Sequence, residues 1–284
     1  MEKRINFLEN KNAVRALESS TNSKELLSRL SALANSSFIP GETLVFFDEV
    51  QVCPEIVTAI KFPVEEGSYR YILSGSLLGA DLKDICSVPA GYMDSVEMCP
   101  LDFEEFCTAN GVSENILYAL KDCFLKQIPV DPLVHDKMAE LFKLYIIVGG
   151  MPAAVKKYIE TNNLREVKRE QREIIAVHKK DKGKYDLRNK LYLEDIFDLI
   201  PGELNAKNKH FIMKSVDGNF KFSRFENSFI WLKDAGVALP VFCTSEPAVP
   251  LMLTKCKNLF KLFLSDVGLL ASMYPDDVQI NYVG

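Results

Sequence analysis

The chain has 284 residues, of which 48% are hydrophobic and 26% charged, and a net charge of −5. That length accommodates one large domain or several smaller ones, and the composition is that of an ordinary globular protein. The negative balance excludes a global attraction to nucleic acid or anionic membrane, so any such binding has to come from a local patch.

No apolar run approaches a membrane span, and the opening "MEKRINFLEN" is not a signal peptide. The seven cysteines are scattered, odd in number and never arranged C-x-x-C. That suggests neither a disulfide framework nor a zinc site, and predicts a cytoplasmic chain whose cysteines are mostly small buried apolar groups.

In chain order, "INF" reads as a short strand, and "SKELLSRLSALAN" as a helix with Ser23 as its N-cap. "IPGETLVFFDEV" turns at Pro40-Gly41 into an apolar strand of the kind buried on both faces of a parallel sheet. A short helix follows Pro54, and "YRYILSGSLLG" is a second apolar strand. This strand–helix–strand unit predicts a parallel α/β sheet over residues 1–110.

From 111 to 190 the periodicity is helical. "HDKMAELFKLYIIVGG" stops at Gly149-Gly150, and "MPAAVKKYIE" restarts with Pro152 in its first turn. Arg165–Lys190 carries ten Lys/Arg against five Asp/Glu and reads as a solvated helix and loop. In "PLDFEEF" the acids mark a helix start with Asp102 as N-cap. From 191 to 284 there are three short helical patterns and then two β-like runs, "VALPVFCTS" and "LFKLFLSD", the outline of a winged helix-turn-helix.

The stretch "LVFFDEVQ" sets Asp48 and Glu49 at the carboxyl end of a strand, the edge where open α/β sheets bind ligands. In a nucleotide hydrolase Asp48 would hold Mg²⁺ through a water and Glu49 would orient and deprotonate the attacking water. The plainer alternative is two acids solvating a loop. At the end of the neighbouring strand, Ser74 and Ser76 are placed to hydrogen-bond a phosphate or the lytic water, or simply to make a tight turn around Gly75.

"LVFFDEVQVCPE", "YILSGSLLG", "MCPLDFEEF" and "YIIVGGMPAAVKKYI" occur in this order, followed by "FENSFIWLKDAGVA" and "FKLFLSDVGLLASMY". Through them the chain resembles prokaryotic AAA+-type, archaeal-ATPase-like P-loop ATPases that carry a C-terminal domain of unknown function. The resemblance implies a Walker-B strand at Leu44–Glu49, a sensor strand ending at Ser74, a helical lid-like region and a winged helix from about Leu191. ATP and Mg²⁺ are the implied cofactors, with Asp48 on the metal.

Family members open with G-x-x-x-x-G-K-[ST], whereas this sequence opens at "RINF". Its Gly183-Lys184 pair has His178 in place of the first glycine and Tyr185 in place of Ser or Thr. The family's C-terminal nuclease-like region has no counterpart after "VQINYVG". The expectation is a truncated P-loop-type sheet, trimmed at both ends, that belongs to a nucleotide-dependent switch family yet binds and hydrolyses ATP poorly.

The alternative is a DNA- or protein-binding module acting through the winged helix. Between Asn205 and Ala235 stand six Lys/Arg against three Asp/Glu. A helix at about Phe222–Asp234 would bring Lys221, Arg224 and Asn227 to a major groove. Phe225, Phe229, Trp231 and Leu232 in the same stretch read as core.

Overall fold

The computed structural model describes residues 2–18, 22–33, 37–75, 91–181, 187–206, 211, 228–229, 232–233, 235–247 and 249–275. The chain divides into two compact units, Met1–Glu97 and Met98–Gly284.

In the first unit, β1 (Glu2–Asn6) leads to α1 (Lys11–Glu18) and α2 (Ser23–Leu33), then β2 (Leu44–Asp48). After it come α3 (Glu55–Ala59), α4 (Lys61–Glu66) and β3 (Arg70–Leu73). The three strands form one sheet in the order β1-β2-β3, all parallel, with Asn6 opposite Asp48 and Phe47 opposite Leu73. Alternation decides the buried face: Ile5, Phe7, Val45 and Phe47 are at most 4% exposed and pack with Leu26, Leu30, Ile56 and Ile60 of the helices. The opposite residues of β2, Leu44 and Phe46, are half-buried and Ile72 of β3 is exposed, so complete burial is confined to one face.

The cap of α2 is Asn22 rather than Ser23: its Oδ1 accepts from the Glu25 N–H at 2.9 Å, and its carbonyl accepts from Leu26. A side-chain oxygen one residue earlier reaches the free N–H groups of the first turn, as a cap must.

The second unit opens with α5 (Phe103–Ala109), capped by Asp102 in a reciprocal box with Glu105. Helices α6 (Glu114–Lys126), α7 (Pro132–Val148), α8 (Pro152–Thr161), α9 (Leu164–Asp181) and α10 (Leu187–Asn205) follow. The chain ends in an antiparallel pair, β4 (Ala238–Thr244) with β5 (Lys255–Leu264), and the short α11 (Val267–Ser272). Its main core joins Ile196, Phe197 and Ile200 of α10 to Phe260, Leu262 and Leu264 of β5, with Phe211, Phe229 and Leu232. Helix α10 runs as one 19-residue element through Pro201.

The expectation of a solvated α9 is only half right. Val167, Lys168 and Gln171 are at most 7% exposed. Gln171 donates to the carbonyls of Ile147 and Val148 at 2.9 Å, closing the end of α7, and Lys168 donates to the Tyr274 carbonyl at 3.0 Å. The cysteines also depart from expectation: of the six described, only Cys53 and Cys107 are buried.

One close approach organises this unit. Gly149 ends α7 at φ 74, ψ −168, a combination reserved in practice for glycine. A Cβ there would lie 2.2 Å from an Asp266 carboxylate oxygen, and one on Gly150 would lie 1.9 Å from the Leu101 carbonyl oxygen. On Gly268 it would meet the Val148 carbonyl oxygen at 2.4 Å.

Against the bare Cα of Gly149 sits Asp266, 3% exposed. It accepts from Gly150 N–H at 2.6 Å and from Leu269 N–H at 2.9 Å. Burial pushes the Asp266 carboxyl above its usual range, and these N–H donors oppose the push without cancelling it.

Gly150→Ala is expected to destabilise the second unit by about 3 kcal/mol, since the carbonyl it strikes is backbone and cannot swing away. Asp266→Asn is expected to cost about 2–3 kcal/mol, because an amide sets a donor against one of the two N–H groups. Gly202→Ala, in a helix with open space around the new methyl, is the control and is expected to be neutral or stabilising. Urea unfolding of the three variants separates these outcomes; equal effects at Gly150 and Gly202 contradict the packing argument.

Candidate functional site

The parallel register aligns the carboxyl ends of all three strands, so Asn6, Asp48 and Ser74 come together at one edge of the sheet. Backbone bonds extend the ladder past the strands: Ser74 N–H to Phe47 O at 2.8 Å, Phe7 N–H to Asp48 O at 3.1 Å and Val50 N–H to Ser74 O at 3.0 Å.

The Asp48 side chain is the hub. Ser74 Oγ donates to its Oδ1 at 2.5 Å, and its own neighbour Glu49 donates a backbone N–H to the same oxygen at 3.1 Å. Oδ2 accepts from Asn6 Nδ2 at 3.1 Å and from Arg4 Nε at 2.9 Å, with a second, closer bond from Arg4 Nη2. The Asn6 amide is itself held, because its Oδ1 accepts from the N–H groups of Leu8 and Glu9 at 2.9 and 3.0 Å.

The hydroxyl of Ser74 is the largest cause holding the Asp48 carboxyl below its usual range, followed by the hydrogen bond and charge of Arg4 and the amide of Asn6. Partial burial works in the other direction.

Glu49 points elsewhere. Its backbone is left-handed, at φ 58 and ψ 44, an uncommon conformation for a side chain of its size. One carboxylate oxygen accepts from Gln51 Nε2 at 2.5 Å. The structure thus unites Asp48 with Ser74 and sets Glu49 beside them with its own partner. Ser76, Lys221, Arg224 and Asn227 lie outside the described residues, as does Gly183-Lys184. Of the proposed recognition helix, Ser228, Phe229 and Leu232 are buried and Lys233 is exposed.

Arg4 and Asn6 were not singled out from the sequence. The signal was there: in "RIN" the polar residues flank the buried Ile5, which sends both side chains to the face and edge that Asp48 occupies.

A site for Mg²⁺ and nucleotide needs a carboxylate free to take the metal's water shell. Here the fork of Arg4 puts a positive charge on Oδ2, and Ser74 and Glu49 donate to Oδ1, so the residues as arranged do not fit that group. Among the described residues no group of three or more His, Cys, Asp or Glu side chains is disposed to hold a metal. No described helix is long and apolar enough to cross a membrane.

A three-stranded parallel sheet with an acid and a serine at its carboxyl edge is consistent with a P-loop-like domain, and residues 3–107 match the family model of an AAA domain. Residues 139–279 match a second model, a domain of unknown function (DUF8612). The chain belongs to an AAA-type, ATPase-like family with that C-terminal domain of unknown function. Nothing among curated proteins or solved structures matches it.

Ser74→Ala is expected to raise the pH at which Asp48 titrates, read by ¹³C NMR of the carboxyl carbon. A depressed carboxylate stabilises the fold above its unfolded pKa and loses that contribution as pH falls through the folded value. The wild type should therefore exceed the variant in stability by about 1–2 kcal/mol near neutrality and lose that lead in strong acid. An unchanged Asp48 titration rules out the assigned role of Ser74.

Proposed function

We propose that Leu44–Glu49 is the Walker-B strand of an AAA-type core, with Asp48 as the metal-side acid, Glu49 as the water-orienting acid and Ser74 as the sensor. In this chain, the proposal continues, that core neither binds nor hydrolyses ATP at a useful rate. The observation that carries the reading is the ion pair of Arg4 with Asp48. The side chains of Arg4 and Asp48 are 59% and 14% exposed. A pair open on one side contributes little stability, so its weight here is positional: a guanidinium occupies the acid at the point where a metal ion would compete for it. Asp48 then serves as an internal anion that ties the ends of β1, β2 and β3 together.

The purified 284-residue chain is expected to give no magnesium-dependent release of phosphate from ATP and no binding of a fluorescent ATP analogue. Turnover that Glu49→Gln abolishes would falsify the proposal.

A second reading, a protein-binding module, is favoured by a separate feature. Helix α6 buries one side chain, Leu117, while Phe124 and Leu125 on it and Leu133 at the start of α7 are 82%, 79% and 81% exposed. A 13-residue helix is marginal in water by itself, so a face this apolar calls for cover. The neighbouring charges are of both signs and paired within the helices, Lys126 with Asp122 and Lys137 with Glu140, so no net field selects a charged partner. A second copy of the chain fits such a face. Sedimentation at tens of micromolar is expected to give dimers that Phe124→Asp with Leu133→Asp dissociates; a monomeric wild type rejects this partner.

A further inference from the structure

The β4–β5 pair carries two thiols that neither the core nor the Asp48 site uses. In the antiparallel register Cys243 stands directly opposite Cys256, just beyond an irregularity of the ladder at Phe242/Cys243. Opposed residues of an antiparallel pair present their side chains on the same face. Ser245 N–H donates to the Thr254 carbonyl at 2.9 Å, and Cys243 and Cys256 lie two residues further along each strand. They therefore occupy the hydrogen-bonded kind of position, where Cα atoms are about 5.5 Å apart. A disulfide spans Cα separations of about 4.4–6.8 Å, so the backbone needs no rearrangement to accept one.

The side chains leave room for the chemistry. Both thiols are free, Cys243 is exposed and Cys256 is half-buried. Each Sγ makes only a long contact with a nearby carbonyl, Cys243 with Thr244 at 3.6 Å and Cys256 with Thr254 at 3.9 Å. Rotation about χ1 costs neither thiol a strong bond.

We propose that Cys243 and Cys256 form a reversible redox pair whose oxidant is hydrogen peroxide. The exposed Cys243, as thiolate, attacks the peroxide O–O bond; the S–O bond forms, the O–O bond breaks, and the departing oxygen leaves as water after protonation. The sulfenic acid so made is attacked by the Cys256 thiol, which forms the S–S bond and expels the second oxygen, again as water. Two electrons pass from the two sulfurs to the peroxide, and the two thiol protons end in the two waters. A small dithiol reverses the reaction by exchange, and the exposed position of Cys243 keeps the bond within reach of a reductant.

Oxidation closes the segment between the strands into a covalent ring. That segment displays Val249, Met252 and Leu253 at 92%, 79% and 81% exposure. The pair thereby controls the freedom of an apolar tip, within the stretch matched by the domain of unknown function. A bond of this kind suits a reducing compartment, where disulfides are transient and sensory.

The test uses the full chain, folded, with hydrogen peroxide as oxidant, followed by alkylation of free thiols, trypsin digestion and mass spectrometry without reduction. The expected result is an intramolecular loss of two hydrogens, a linked peptide pair containing Cys243 and Cys256, and disappearance of both on adding dithiothreitol. Cys256→Ser should leave Cys243 as a sulfenic acid that dimedone traps, with no linked pair. In urea the same treatment should scatter linkages among the seven cysteines. Recovery of both thiols in alkylated form after peroxide, or equal linkage of either to other cysteines in the folded chain, overturns the proposal.

Discussion

The second unit depends on a buried carboxylate seated against bare backbone. Asp266 can be 3% exposed because Gly150 N–H and Leu269 N–H each donate to one of its oxygens, and it can approach the turn because Gly149 carries no side chain there. An isolated buried charge is unfavourable by many kilocalories, whereas one saturated by amide donors becomes a joint. Through it the end of α7, the start of α8 and the start of α11 meet at one point, and Gln171 closes the same turn from α9. The hydrophobic clusters on either side supply most of the burial, but this polar joint fixes where those clusters lie relative to each other within the unit.

The first unit uses the same device at its surface. Asp48 collects donors from all three strands of the sheet, one of them a full positive charge. The two acids differ in what opposes their ionisation. Asp266 is deep and its burial outweighs the donors, so its carboxyl titrates high; Asp48 is open on one side and its donors win, so it titrates low. The charge of Asp48 is already answered by Arg4.

Much of this was legible in the residues. Apolar runs ending in Asp48 and Ser74 predicted the parallel sheet, and Gly149-Gly150 with Pro152 predicted the break between α7 and α8. Local chemistry of that kind survives folding unchanged. What stayed hidden needed a partner distant in sequence. Asp266 caps α11, but nothing local in "LSDVGLLA" says that Gly150 donates to it. Gln171 and Lys168 sit in a run of charges that looks solvated, and only the carbonyls they reach explain their burial. Arg4 needed Asp48, 44 residues away on the neighbouring strand. Cys243 and Cys256 needed the register. Ser23 failed for a smaller reason, a single step of capping position that the first-turn hydrogen bonds decide.

The span of the Asp266 joint has a consequence for how the second unit comes into being. Gly150 and Asp266 are separated by 116 residues, one of the longest loops the chain closes. Closing such a loop has an entropic cost that local helix formation does not repay, so contacts of this range consolidate late. During synthesis the helices from α5 to α9 emerge well before their last acceptor does. The Gly150 amide must wait solvated until the ribosome has released residue 266, whereas that of Gly149 already has the Tyr145 carbonyl. The domain matched over 139–279 contains both halves of the joint, which makes it a single folding event and not a string of independent segments.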